Sequence, residues 1–303
     1  MIPLAPSSRQ RLRPTWTRQR LDTERAIAIG NSIDVSSRAA YTSALQSYVT
    51  FCQKHEFTID PTPETLSYYT VYMSHFIKPT SVDSYLSGIC NQLEPFYPSV
   101  RASRRHPLVV RTLRGCKKLR NTATKRKRAI RRTELVTLAP HYGPMATHDD
   151  LLFIAILLVA FFGLMRLGEL VWPDDTDLQD VRKVTMRNTV EILPGNEGFS
   201  FFLPSHKADR FFEGNRVVVR KTDTADDPML PFSRYLHSRD TSFPFHPQLW
   251  LRADGTVPTR GWFIRRLRAH FPGSDVGGHS LRAGGATALA EAGVPAHIIQ
   301  AIG

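Results

Sequence analysis

Cysteine is scarce in this chain of 303 residues. Cys52, Cys90 and Cys116 are odd in number and no two stand at CxxC spacing, which argues against a disulfide framework or a zinc site and suits a reducing intracellular compartment. Long apolar runs are missing too. The longest, LLFIAILLVAFFGLM from Leu151 to Met165, falls short of the roughly 18 to 20 residues that a membrane span needs. Asp149, Asp150, Arg166 and Glu169 crowd its ends, so it reads as a fully buried core helix, and no membrane partner is expected. The opening residues, MIPLAPSSRQRLRPTWTRQR, lack the apolar stretch of a secretory signal and read as a flexible basic arm over 1–31. No internal repeat or low-complexity tract is visible. Nothing in the sequence calls for a metal or a cofactor, and none is expected.

The most informative shortage is of acid. Between Glu94 and Glu134 there is no Asp or Glu, while 14 Lys and Arg fall there, against a net charge of +13 for the whole chain. A basic surface evenly solvated would spread its charge. This clustering argues for a polyanionic partner such as nucleic acid. Arg104, Arg105, Lys117, Lys118, Lys125, Arg126, Lys127 and Arg128 are its candidate DNA-binding residues. KRKR at Lys125–Arg128 also has the look of a nuclear address, which would place the protein in a nucleus if its host is eukaryotic and in the cytoplasm otherwise.

Ala40, Ala44, Leu45, Tyr48 and Phe51 or Cys52 recur at helical spacing, and Pro61, Pro63 and Pro79 punctuate further helical text at 66–76, 81–95 and 107–119. The pattern predicts a small helical bundle over 32–119. Residues 120–132 have no apolar period and read as an exposed basic linker to a second domain over 133–303. Within that domain KVTMRNTVEIL, FSFFLPSH and RVVVRKT, rich in Val, Thr, Ile and Phe and separated by PGNEG and ADRFFEGN, predict a small antiparallel sheet. Helix is expected again over 259–270 and 280–302. The fold class is mainly α, a helical bundle followed by a mainly helical α+β domain.

Four residues carry candidate chemistry. Arg166 follows the buried run directly, where a guanidinium needs an anion; that anion is either Glu169 alone or a phosphate gripped by Arg166 with Glu169 holding it in place. Lys207 falls at the tip or shoulder of a predicted hairpin, a position that usually only guards a sheet edge. His279 and Arg282, three residues apart behind Gly277-Gly278, share one helix face.

FFGLMRLGELVWP, SHKADRFF and GHSLRAGGATALAEAG, in this order behind a basic helical domain, resemble the motifs of the tyrosine recombinases or phage integrases, including recombinase-like genes of fungal and other eukaryotic mobile elements. The helical text around SVDSYLSGI resembles that family's SAM-like core-binding domain. The resemblance implies DNA integration or site-specific recombination on double-stranded DNA through a 3′-phosphotyrosyl intermediate. It makes Arg166 and Arg282 the phosphate-holding arginines, Glu169 their support, Lys207 the general acid and His279 an assistant in proton movement. The small helical first domain suits recombinases better than type IB topoisomerases, which share these catalytic residues.

The departure from the family pattern is that the last tyrosine, Tyr235, lies upstream of His279. The nucleophilic Tyr, a preceding His or Trp, and the helix that subunits exchange beyond it have no counterpart in the 303 residues, so a truncated chain that binds DNA without cleaving it is the expectation, with a monomer favoured over a homo-oligomer on DNA. The alternatives are an active recombinase with a further C-terminal segment and a purely structural or regulatory helical DNA-binding module.

Overall fold

The chain forms two compact units, 1–123 and 124–303. The structure is a computed structural model that describes residues 14–302 except 121, 123–126, 207–208, 210–211 and 274.

Helix α1 (Arg18–Gly30) buries none of its residues, so the stretch read as a flexible arm contains a helix that contributes nothing to the core. The bundle follows as α2 (Val35–Lys54), α3 (Pro63–Met73), α4 (Pro79–Leu93), α5 (Val100–Arg105) and α6 (Pro107–Arg120). Proline opens α3 and α4, where a missing N–H costs nothing, and the Thr62 hydroxyl accepts from the Thr65 amide at 3.1 Å to cap α3. The apolar stripe of α2 buries Ala44, Tyr48, Phe51 and Cys52 against Leu66 and Tyr69 of α3 and Leu86, Ile89 and Cys90 of α4. The short α5, with Val100 as its one buried residue, has too little period to be read from sequence.

In the second unit α7 (Arg132–Leu138) precedes α8 (His148–Phe162), whose residues Leu151 through Phe161 are all buried. Thr147 and Asp150 cap α8 reciprocally: the Asp150 amide donates to the Thr147 hydroxyl and the Thr147 amide to the Asp150 carboxylate. A core helix is what an all-apolar run this short should make, and among the described residues no helix is long and apolar enough to cross a membrane. The sheet pairs β1 (Glu191–Ile192), β2 (Gly198–Leu203) and β3 (Asn215–Arg220) antiparallel in that order, with Phe199 opposite Val219 and Phe201 opposite Val217. Phe199, Phe201, Leu203 and Val219 face the core, where Phe199 stacks on Phe232 at 3.7 Å between ring centres.

Three further findings depart from the sequence reading. Helix α9 (Met229–Ser242) was not expected; it buries Phe232, Tyr235, Leu236 and Arg239. After α10 (Arg260–His270), the helix expected over 280–302 is two, α11 (Gly278–Glu291) and α12 (Ala296–Ile302), broken at Gly293, whose φ of 81° leaves the helical region. The stretch read as an exposed linker is not exposed throughout. Ile130 is buried in the core of the second unit, the Ile130 amide donates to the Ser280 carbonyl at 3.0 Å, and the Arg128 amide donates to the Asp275 carbonyl at 2.8 Å.

Candidate phosphate-binding site

The site begins where α8 ends. The chain leaves the helix through Gly163 and Leu164, the latter at φ 49°, unusual for a side chain branched and bulky, and Arg166 follows in an extended conformation. The turn Leu167–Glu169 then brings Glu169 back under Arg166. The Glu169 carboxylate accepts from the Arg166 amide at 2.8 Å and from Arg166 Nη1 at 2.9 Å. Glu169 is nearly buried, whereas 32% of the Arg166 side chain stays exposed. One carboxylate therefore fixes both ends of the arginine, and the rest of the guanidinium has no partner among the described residues.

Helix α11 supplies the second arginine, and glycine decides how close it comes. A Cβ on Gly284 would lie 2.2 Å from the Ile130 carbonyl oxygen, and one on Gly285 would lie 2.0 Å from that of Phe161. Only glycine lets α11 press its backbone against the end of α8. At that approach Arg282 Nη1 donates to the Leu164 carbonyl at 2.9 Å, in the same turn that leads to Arg166. Burial pushes the Arg282 pKa below its usual value, and the nearby positive charge of Arg166 pushes it further, against the opposing influence of Glu169. Two guanidinium groups share one neighbourhood with a single carboxylate, and that carboxylate is committed to Arg166. An anion with two acceptor oxygens would complete the arrangement.

His279 stands one turn earlier on α11, exposed, and Gly278 beside it packs on Leu167 at 3.0–3.1 Å from where a Cβ would be. Lys207 lies outside the described residues. A Cβ on Gly163 would lie 3.2 Å from Val217 of β3, so the sheet abuts the turn that leads to Arg166. Thus Arg166, Glu169 and Arg282 gather at one place, with His279 one turn before Arg282 on the same helix. Among the described residues no group of three or more His, Cys, Asp or Glu could hold a metal ion.

The basic residues divide sharply. Arg104 and Lys117 both bind Asp83, at 2.9 and 2.8 Å, and Arg128 is held by Glu134 at 2.8 Å and Asp275 at 2.9 Å. These three join elements of the fold. Arg105 and Lys118 are exposed without a partner among the described residues, and Lys127 is exposed with its aliphatic stem 3.7 Å from where a Gly277 Cβ would be. Lys125 and Arg126 lie outside the described residues. Sequence reasoning missed Arg260, whose Nη1 would be 3.5 Å from a Cβ on Gly278. Only its place behind the Thr259 cap was legible, and that cap points to a helix start rather than to a site.

No protein-family model matches this chain, and no curated protein does. Solved structures do match. Lambda integrase (residues 75–356) bound to DNA is similar with a TM-score of 0.52 at 14% identity, over 93% of this chain and 89% of that one. A lambda integrase (75–356) dimer bound to a COC′ core site is similar with a TM-score of 0.51 at 14% identity, over 93% and 92%. A lambda integrase tetramer bound to a Holliday junction is similar with a TM-score of 0.51 at 13% identity, over 92% and 74%. The neighbours of this chain in structure are tyrosine recombinases, and its fold, mainly helical with a small three-stranded sheet, is theirs.

Proposed function

We propose that this chain is a DNA-binding protein of the tyrosine recombinase type, with Arg166 and Arg282 holding a backbone phosphate of double-stranded DNA. The observation that carries the reading is the convergence of these two guanidinium groups, short of one anion, in the fold of integrases solved on DNA. In the reaction the resemblance implies, a tyrosine oxygen bonds to phosphorus as the bond to the 5′-oxygen breaks. Negative charge gathers on the non-bridging oxygens, where two bound guanidinium groups would supply the fixed positive charge that lowers the barrier most. Lys207 would pass a proton to the departing 5′-oxygen, and His279 would assist proton movement at the phosphate.

Every tyrosine of these 303 residues precedes His279, whereas the resemblance puts the attacking one after it. The last, Tyr235, is fully buried; its hydroxyl donates to the Leu249 carbonyl at 2.9 Å and accepts from the Leu251 amide at 2.7 Å, and burial raises its pKa well above the usual value. The 303 residues are therefore expected to bind duplex DNA and form no covalent adduct. A link to a mobile element and a nuclear location in a eukaryotic host belong to the same reading.

The test is duplex binding by fluorescence anisotropy across a salt series, with an unfolding temperature measured alongside. Affinity should fall steeply with salt, and Arg282→Gln and Arg166→Gln should each lower the log–log slope by about one. A flat salt dependence sinks the reading. If Arg166→Gln lowers stability but leaves the slope alone, Arg166 serves Glu169 only and the protein is a structural helical module. A protein–DNA adduct on a nicked suicide substrate would refute binding without cleavage.

A further inference from the structure

Two cations near the Arg166–Arg282 pair make no hydrogen bond or ion pair among the described residues. Arg260, the first residue of α10, is exposed and lays its guanidinium against Gly278, and Lys127 runs its stem along Gly277. Arg128 is paired with Glu134 and Asp275, and Arg266 with Asp149 and Asp150. The acid within reach of Arg260 is Asp174. That carboxylate, held below the usual range first by the Thr259 hydroxyl, also accepts from the Gly261 amide at 2.8 Å, so it is committed to the start of α10. Neither Arg260 nor Lys127 has a hydrogen-bond or ion-pair partner among the described residues.

Their position ties them to the site. Gly278 is packed on Leu167, the residue after Arg166, and the Arg260 guanidinium borders that same contact. Arg260 and Lys127 thus lie against the glycine pair that opens the helix of Arg282, and like charge gathered at one helix start favours a polyanionic partner. We infer that Arg260 and Lys127 hold a second phosphate of the strand whose first phosphate sits on Arg166 and Arg282. Arg260 offers a two-pronged donor and Lys127 a point charge. This rests on the proposed reading of the partner as DNA.

The experiment uses the 303-residue protein and two labelled duplexes of unrelated sequence, titrated between about 50 and 200 mM salt. Arg260→Ala and Lys127→Ala should each weaken binding equally on both duplexes and cut the salt slope by about one, which makes the loss of affinity across that range roughly fourfold smaller. Unfolding temperatures should not move, since neither side chain has a partner to lose. An unchanged slope overturns the inference, as does a lowered unfolding temperature with binding intact. A loss confined to one duplex overturns it too, because it marks a reader of bases. Failure of the DNA reading itself is visible separately, as a flat slope for the unaltered protein.

Discussion

Alanine in place of Gly285 sets two effects of opposite sign against each other. In a helix interior alanine is favoured over glycine by about 1 kcal/mol, so local propensity alone makes the variant more stable. The added methyl, however, would stand 2.0 Å from the Phe161 carbonyl oxygen and 2.6 Å from Leu164 Cδ2. Ordinary contact begins near 3.4 Å, so α11 has to retreat by roughly 1.4 Å, because a backbone oxygen in α8 cannot rotate aside as a side-chain end can. That retreat carries the Arg282–Leu164 bond from 2.9 Å beyond hydrogen-bonding range. Overpacking costs about 1–3 kcal/mol, and a bond to a charged donor about 1.5–3 kcal/mol. After the propensity gain the net loss is about 2 kcal/mol or more, which lowers the melting temperature of a unit this size by roughly 4–8 °C. Circular dichroism melts of Gly285→Ala and the unaltered protein measure it, and the duplex salt slope should fall with it as Arg282 leaves its place. A variant that melts at or above the parent refutes the argument that close approach, rather than helix propensity, governs this position.

The same substitution at Gly115, inside α6, meets nothing within 4 Å and should raise stability by up to about 1 kcal/mol, seen as a higher melting temperature. Arg104→Ala leaves Asp83 with Lys117 alone and should cost about 1 kcal/mol, whereas Arg105→Ala should leave melting unchanged and lower the DNA salt slope by about one; the reverse pattern would show that the paired and free cations have been misassigned. Acid should destabilise the fold through specific carboxylates. Burial pushes the Asp83 carboxyl up, but bonds from Lys117 and Arg104 outweigh it and hold it below 3.8, and a bond from Arg128 foremost holds Glu134 below 4.5. In that range the unfolded chain binds more protons, so their contribution is complete above about pH 4.5 and is lost as pH falls through the lowered values. Melts from neutral to acid pH should show this decline, with a shallower one in Asp83→Asn.

Legibility followed how local each cause was. The α2 stripe, the three strands and the Arg166–Glu169 pair could be read because their determinants lie within a few residues of each other. Helix α9 could not: its buried stripe runs Phe232, Tyr235, Leu236 and then Arg239, a charge where the period calls for an apolar residue. Arg239 is tolerated in the core because the carbonyls of Phe243, His246 and Gln248 and the Asp240 carboxylate surround it, partners that only the folded chain supplies. The roles of Arg104 and Lys117 were hidden likewise, since Asp83 lies 21 and 34 residues upstream. At the site, the three-residue spacing and the family resemblance could nominate His279 and Arg282. That Gly284 and Gly285 set how close Arg282 comes to Arg166 emerges only from the packing of α11 on α8.

The anchoring of the connector at Arg128 and Ile130 has a mechanical consequence. Where the chain enters its second unit it is sewn to the segment that opens α11, through Asp275 and Ser280 on either side of Gly277. A pull transmitted along the connector is therefore delivered to the helix bearing His279 and Arg282 together with the core in which Ile130 is buried. Residues inserted ahead of Lys127 would add slack and leave the site as it is. The same insertion between Arg128 and Ile130 would break the stitches and act on His279 and Arg282, although it touches neither.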